Sequence, residues 1–288
     1  MHADELAIDA GLVRRLVDAQ FPAWRRLPIR VVPSWGTDNA LYRLGEELVV
    51  RLPRREQNVA GLERELEWLP KLAPSLPVAV SEPVARGAPG EEYPWPWAVY
   101  RWLQGETLPF EVVGASDDVA RDLVAFVSAL RRVELDGPVG FRGVALRARD
   151  RATGSFLAAL DRKIDTAPLR AIWAEALAAP EWAGKPTWTH GDLDLRNLLF
   201  DDGRLVAVLD FAGVGVGDPA CDVASAWKVL DAERRDRFRG ELDVDEATWA
   251  RARGWVAHQI AGALSYYTVE NNPELYLEAE RWLGEVLG

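Results

Sequence analysis

The stretch His190-Gly191-Asp192-Leu193-Asp194-Leu195-Arg196-Asn197, followed by Leu205-Val206-Ala207-Val208-Leu209-Asp210-Phe211, decides how the chain is read. Three polar groups, Asp192, Asn197 and Asp210, occupy loop positions beside strongly apolar segments. Residues 205–209 read as a buried strand, so Asp210 falls at the C-terminal end of a rigid element that can hold a carboxylate in a cleft. Phosphoryl transfer asks for such a set. One carboxylate has to hold the attacking hydroxyl and take its proton. An amide oxygen and a second carboxylate, both hard donors, suit Mg²⁺ beside nucleotide phosphates. Asp192 alone would be an ordinary acidic turn. The three together point to chemistry.

Outward from this core the chain changes character. Residues 187–190 and 197–200 are short apolar segments around the polar loop. The rest of the C-terminal part reads as helices at 117–132, 150–161, 167–180, 219–239, 245–268 and 273–287. In the N-terminal part, a helix at 4–20 puts Leu6, Leu12, Leu16 and Val17 on one side. Strands follow at 29–34, 40–44 and 48–52, separated by turn residues, with Pro53 as the stop. A helix at 56–69 carries Val59, Leu62, Leu66 and Leu69 at helical spacing. Strands at 78–84 and 97–102 come next, and the pattern breaks at Gln104-Gly105-Glu106. The fold class is α+β, with an antiparallel-sheet lobe at 1–105 and a mainly helical lobe at 106–288.

His190 to Asn197 with Asp210 resembles the catalytic and metal-binding segments of the aminoglycoside phosphotransferases, small-molecule relatives of the protein kinases. The kinase pattern H-R-D-L-x-x-x-N and D-F-G stands here as His190-Gly191-Asp192 to Asn197, then Asp210-Phe211-Ala212. Gly191 replaces the kinase arginine, as is typical of the small-molecule branch. The resemblance covers nearly the whole chain. It implies a two-lobed protein-kinase-like fold that binds ATP or GTP with Mg²⁺ between the lobes. It implies Asp192 as catalytic base, Asn197 and Asp210 as magnesium ligands, and His190 as a brace for the catalytic loop. Asp222 would fasten that loop through backbone hydrogen bonds. Asp218 reads instead as a cap for the helix after Pro219.

The same resemblance gives Arg51 the place of the strand lysine that contacts the α and β phosphates. Arginine offers a broader, bidentate fork. Its carboxylate partner would be Glu65, which borders the buried stripe three residues after Leu62, whereas Glu63 and Glu67 point toward solvent. Ser34 and Thr37 would face the phosphates from a loop that lacks G-x-G-x-x-G and reads equally as a plain hairpin turn. Residues 99–105 would form the hinge, with backbone groups of Arg101 and Leu103 on the nucleotide base.

Composition narrows the partners. Acidic residues number 45 and basic ones 34, a net charge of −11. That balance opposes nonspecific nucleic-acid binding, which needs a basic surface, and opposes an anionic membrane. It is compatible with a cationic small molecule. The single cysteine, Cys221, excludes an internal disulfide and a cysteine-cluster metal site. Met1-His2-Ala3-Asp4-Glu5 shows no basic, apolar leader, and no apolar run approaches the ~20 residues of a transmembrane helix. The expected location is cytoplasmic.

Other enzyme classes lack their signatures. No G-x-x-x-x-G-K-[ST] or G-x-S-x-G occurs. Gly213-Val214-Gly215-Val216-Gly217 would need a glycine where Asp218 stands to match a dinucleotide fingerprint. A protein substrate is disfavoured, because a glycine-rich stretch joins Asp210 to Asp222 with no long activation segment. The expected acceptor is a small-molecule hydroxyl, first that of an aminoglycoside-like antibiotic. Choline, homoserine, a sugar or a macrolide is the alternative, and a catalytically silent nucleotide-binding module is the non-enzymatic one. Asp194, Glu270, Glu274 and Glu278 are candidate partners for ammonium groups. Trp227, Trp255, Tyr266, Tyr267 and Trp282 are candidate stacking groups. Each of these reads equally well as core or as a solvated helix face.

Overall fold

A computed structural model describes residues 6–33 and 38–288. Ser34 and Thr37 therefore lie outside the described residues. The chain forms two compact units: Met1–Pro74, Ala79–Gln104 and Ala207–Ala212 in the first; Ser75–Val78, Gly105–Val206 and Gly213–Gly288 in the second. Asp210 thus belongs to the first unit and Asp192 to the second.

In the first unit, helix α1 (Ala10–Gln20) precedes strands β1 (Ile29–Val31), β2 (Asn39–Leu44) and β3 (Leu48–Pro53). Then come helix α2 (Val59–Leu72) and strands β4 (Ala79–Val80), β5 (Pro83–Gly87) and β6 (Trp97–Arg101). α1 starts later than expected because Asp9 caps it, its Oδ1 accepting from the Leu12 N–H at 2.7 Å. Ahead of that cap, the Leu6 N–H bonds the Arg54 carbonyl instead of joining a helix. The strand expected at 78–84 is two strands. Pro83, without an N–H, opens β5, and β4 pairs parallel with Ala207 and Val208.

A five-stranded antiparallel sheet runs β1-β2-β3-β6-β5, so β3 is central. Strand alternation sorts its residues between two helices. Val50, Leu52, Trp97 and Val99 join Leu12, Leu16 and Val17 of α1 in one cluster. Val49, Ala98 and Tyr100 join Leu62 and Leu66 of α2 in another.

The second unit holds helices α3 (Phe110–Val113), α4 (Asp117–Arg131), α5 (Asp150–Leu160) and α6 (Ala167–Ala178), then strands β7 (Thr187–Thr189) and β8 (Leu198–Asp201). Strand β9 (Arg204–Val208) follows, then β10 (Gly215–Gly217) and helices α7 (Ala220–Val223), α8 (Ser225–Val229), α9 (Ala232–Glu241), α10 (Glu246–Tyr266) and α11 (Pro273–Leu287). The single helix expected at 219–239 is three. Leu230 turns to extended backbone, and the Asp231 carboxylate caps α9 by accepting from the Arg234 N–H at 2.9 Å. β7 and β10 pair antiparallel, with Thr189 opposite Gly215. α10 is the buried axis, carrying Trp255, Val256, Ile260 and Ala261 into the core. It is tied to the start of α7 by the buried pair of Arg251 Nε and Asp218 Oδ2 at 2.7 Å. Asp218 Oδ1 also accepts from the Ala220 N–H at 3.0 Å.

His258, also on α10, packs among Phe156, Trp173 and Trp255 with its Nδ1 2.8 Å from the Thr153 hydroxyl. Burial, with Arg142 and Arg149 adding repulsion, lowers its pKa to about 4. The unfolded chain therefore binds the extra proton first, and stability falls as pH drops from about 6.5 toward 4. The loss approaches about 3 kcal/mol at most. Urea unfolding at pH 7 and pH 4.5 should show His258→Gln losing less stability than wild type over that interval. An equal loss would refute this account of the histidine.

Candidate active site

In the first unit the sheet's two-residue period builds one cluster of candidate residues. On β3, Arg51 sits opposite Ala98 of β6 and faces α2. Glu65, one turn beyond Leu62, meets it: Arg51 Nη1 lies 2.8 Å from both Glu65 oxygens. The Tyr100 hydroxyl donates to Glu65 Oε2 at 3.1 Å, and Arg51 Nη2 donates to Asp210 Oδ1 at 2.8 Å. Glu65 is fully buried, Arg51 is 12% exposed and Asp210 is 45% exposed. Burial works against the guanidinium's charge, but Glu65 and Asp210 outweigh it and raise the Arg51 pKa far above its ordinary value. Arg51 is a permanent cation with two carboxylates on one fork. Glu63 and Glu67 pair instead with Arg86 and Lys71 at the surface.

Asp210 adopts a left-handed backbone with φ 60°, a conformation that costs a non-glycine residue and clusters at functional sites. Two residues on, Ala212 touches α2. A Cβ on Gly61 would stand 2.8 Å from the Ala212 Cβ, so the helix approaches this closely only through a glycine.

In the second unit the candidate residues lie on the loop after β7. The His190 and Gly191 N–H groups donate to Asp222 Oδ2 and Oδ1 at 2.8 and 2.7 Å. Gly191 has φ 84°, a conformation that glycine alone adopts freely and that aims its N–H at the carboxylate. The Asp192 N–H donates to His190 Nδ1 at 3.1 Å, and Asn197 Nδ2 donates to the Asp192 carbonyl at 2.9 Å. His190 and Asp222 are buried. This network fastens the loop backbone at residues 190, 191 and 192 and leaves the Asp192 side chain 31% exposed.

Two cations reach the Asp192 carboxylate. Arg142 Nη1 stands 3.0 Å and Lys228 Nζ 3.7 Å from Oδ1. Burial alone would raise this carboxyl, but Arg142 and Lys228, with Arg196 and His190 behind them, hold it well below the usual carboxylate range. Sequence reading missed both cations. Lys228 carried a signal, a lone charge inside Ala224-Ser225-Ala226-Trp227-Lys228-Val229-Leu230. Arg142 carried none. It belongs to an irregular segment placed by long-range bonds, Gly140 N–H to the Val216 carbonyl and Phe141 N–H to the Gly213 carbonyl.

A family model described as "Phosphotransferase enzyme family" matches residues 30–255. The chain belongs to that family. It is similar over 94% of its length, at 25% identity and a TM-score of 0.60, to a macrolide 2'-phosphotransferase from Brachybacterium faecium, of which it covers 97%. It shares the fold of APH(2")-IIia, a structure solved as a GDP and kanamycin complex, at a TM-score of 0.73 and 19% identity, over 95% of this chain and 97% of that one. An aminoglycoside 3'-phosphotransferase of Escherichia coli is 35% identical over 63 residues, spanning 22% of this chain and 23% of that protein.

Within this phosphotransferase, several acceptor candidates are committed elsewhere. Asp194 is fully buried, caps Arg196 through its N–H at 3.1 Å and pairs with the same residue's guanidinium. Trp227, Trp255 and Trp282 are buried core residues. Glu278 pairs with Arg281. Glu270 and Tyr266 are exposed, while Tyr267 and Glu274 are half-buried. At the hinge, the Arg101 N–H is spent on the Glu82 carbonyl at 3.1 Å, so only its carbonyl could meet a nucleotide base. The Leu103 backbone makes no hydrogen bond among the described residues.

Proposed function

We propose that this phosphotransferase moves the terminal phosphoryl group of ATP or GTP to a hydroxyl of a small molecule, an aminoglycoside-like antibiotic being the leading acceptor class and a macrolide the next. The observation that carries the reading is Asp192 on a loop whose N–H groups at 190 and 191 both end on one buried carboxylate, Asp222. Such a loop can hold a carboxylate against a hydroxyl with little freedom, which is most of what this chemistry asks of a protein.

Asp192 accepts a hydrogen bond from the acceptor hydroxyl and orients it. So weak a base takes the proton only as the new O–P bond forms and the bond to the nucleoside diphosphate breaks. Arg51 holds charge near the phosphates with its fork fixed by Glu65. Asn197 and Asp210 would supply oxygens for Mg²⁺, and that ion would offset the phosphate charge. The donor chemistry fits. Asn197 uses its Nδ2 on the Asp192 carbonyl, so its amide oxygen is the atom that would hold the ion. Among the described residues no group of three His, Cys, Asp or Glu could hold a metal. Mg²⁺ on one or two protein oxygens plus phosphates needs no such group. No helix among the described residues is long and apolar enough to cross a membrane, and a cytoplasmic site of action accompanies the proposal.

Calorimetric titration tests it. Wild type should bind MgATP or MgGTP saturably, and more weakly once Mg²⁺ is chelated. Asp210→Ala should lose the magnesium-dependent part, about tenfold or more in affinity. Unchanged affinity in that variant would move the metal site elsewhere. Binding of neither nucleotide by wild type would contradict the proposal.

A further inference from the structure

Lys228 is costly where it stands. Its side chain is fully buried on α8, and its Nζ makes no hydrogen bond. Among the described residues its one ion-pair partner is Asp192, at 3.7 Å. The Trp282 ring centroid lies 5.5 Å from Nζ. Removing an ammonium from water without a hydrogen bond costs several kcal/mol, and well-packed apolar replacements for buried ions are often neutral or stabilising. Stability therefore gives no reason for a lysine here.

The carboxylate it meets is approached unevenly. Arg142 bonds the Gly191 carbonyl through Nη1 at 2.7 Å, and the same nitrogen lies 3.0 Å from Asp192 Oδ1. Lys228 comes closest to the same oxygen. Oδ1 is thus the nearer carboxylate oxygen for both cations.

We propose that Lys228 and Arg142 are positioning residues for phosphoryl transfer, clamping Asp192 through Oδ1 so that Oδ2 is the oxygen offered to the acceptor hydroxyl. The assignment rests on the phosphotransfer reading above. Lys228 acts through Asp192, because its Nζ is closed to solvent and cannot itself reach a substrate. Arg142, 21% exposed, reaches the same oxygen and ties the carboxylate to the loop backbone. Without the clamp the carboxylate keeps its loop and loses its aim. Turnover then falls while binding does not.

The test is steady-state kinetics with MgATP and MgGTP, with kanamycin, erythromycin and water as acceptors, beside thermal melts. Lys228→Met should lower kcat about 10- to 100-fold, the scale of a misplaced catalytic group. Its KM for nucleotide and acceptor should stay near wild type, and its Tm should be equal or higher. Arg142→Gln should lower kcat in the same way, and Arg142→Lys should recover part of the loss. If Lys228→Met does not fold, the Arg142 pair carries the test. Wild-type kcat in Lys228→Met or in Arg142→Gln would overturn the assignment. So would a fall in kcat matched by an equal fall in Tm, the mark of a purely structural ion pair. A wild-type enzyme that transfers phosphate to none of these acceptors, water included, would overturn the phosphotransfer reading itself and this assignment with it.

Discussion

Asp192→Ala is expected to lower turnover by about 10²- to 10⁴-fold, the range lost with a positioned proton acceptor. Nucleotide affinity should stay close to wild type. The separation follows from where the residue sits. Its loop is fastened by Asp222 to the backbone N–H groups of His190 and Gly191, and by Asn197 to its own carbonyl. None of those bonds uses the Asp192 side chain. Truncating it removes the group that aims the hydroxyl and leaves the loop in place. Asp222→Ala behaves differently, because it frees two buried N–H groups at once and loosens the loop itself. Steady-state kinetics with a nucleotide titration separates the two cases. Wild-type turnover in Asp192→Ala would remove this residue from the reaction.

Glu65→Ala should have the largest effect on stability, about 3–5 kcal/mol, the cost of stripping the partner from a buried charge. Arg51 keeps its bond to Asp210 but loses both bonds to Glu65. The Tyr100 hydroxyl, buried beside them, loses its acceptor as well. Glu65→Gln should cost less, since the amide oxygen can still accept from Arg51. Urea unfolding would read the difference. A loss below about 1 kcal/mol in Glu65→Ala, the size of an ordinary substitution, would mean that the Arg51 cluster is not a structural keystone. The same variant should weaken nucleotide binding, because a guanidinium without Glu65 no longer has a fixed fork.

What could be read in the sequence depended on the range of the interaction. Arg51 was placed by the family resemblance and Glu65 by the helical period of α2, and the two meet as a bonded pair. Asp192, Asn197 and Asp210 were legible because a motif fixes their spacing. Gly191 sits at φ 84°, a left-handed backbone that glycine adopts at little cost. The breaks at Pro83 and Asp231 were present as a proline and a cap, yet the apolar pattern ran through both and hid them. Lys228 and Arg142 come to Asp192 from segments remote in sequence. Their convergence is set by the packing of α8 and by the pairing of residues 140–141 with 213–216, which no local period encodes. Asp194 shows the opposite error. An acidic residue in the catalytic loop reads as a site for ammonium groups, but Arg196 already occupies it.

Phosphoryl transfer by way of Asp192 should leave one phosphate on a small-molecule hydroxyl. Mass spectrometry of aminoglycosides, macrolides, amino sugars, choline and homoserine, each incubated with Mg²⁺ and ATP or GTP, tests it most directly. Wild type should add one phosphate to one acceptor class, and Asp192→Ala should add none. Unchanged acceptor masses across the panel, or the same product from both proteins, would contradict it.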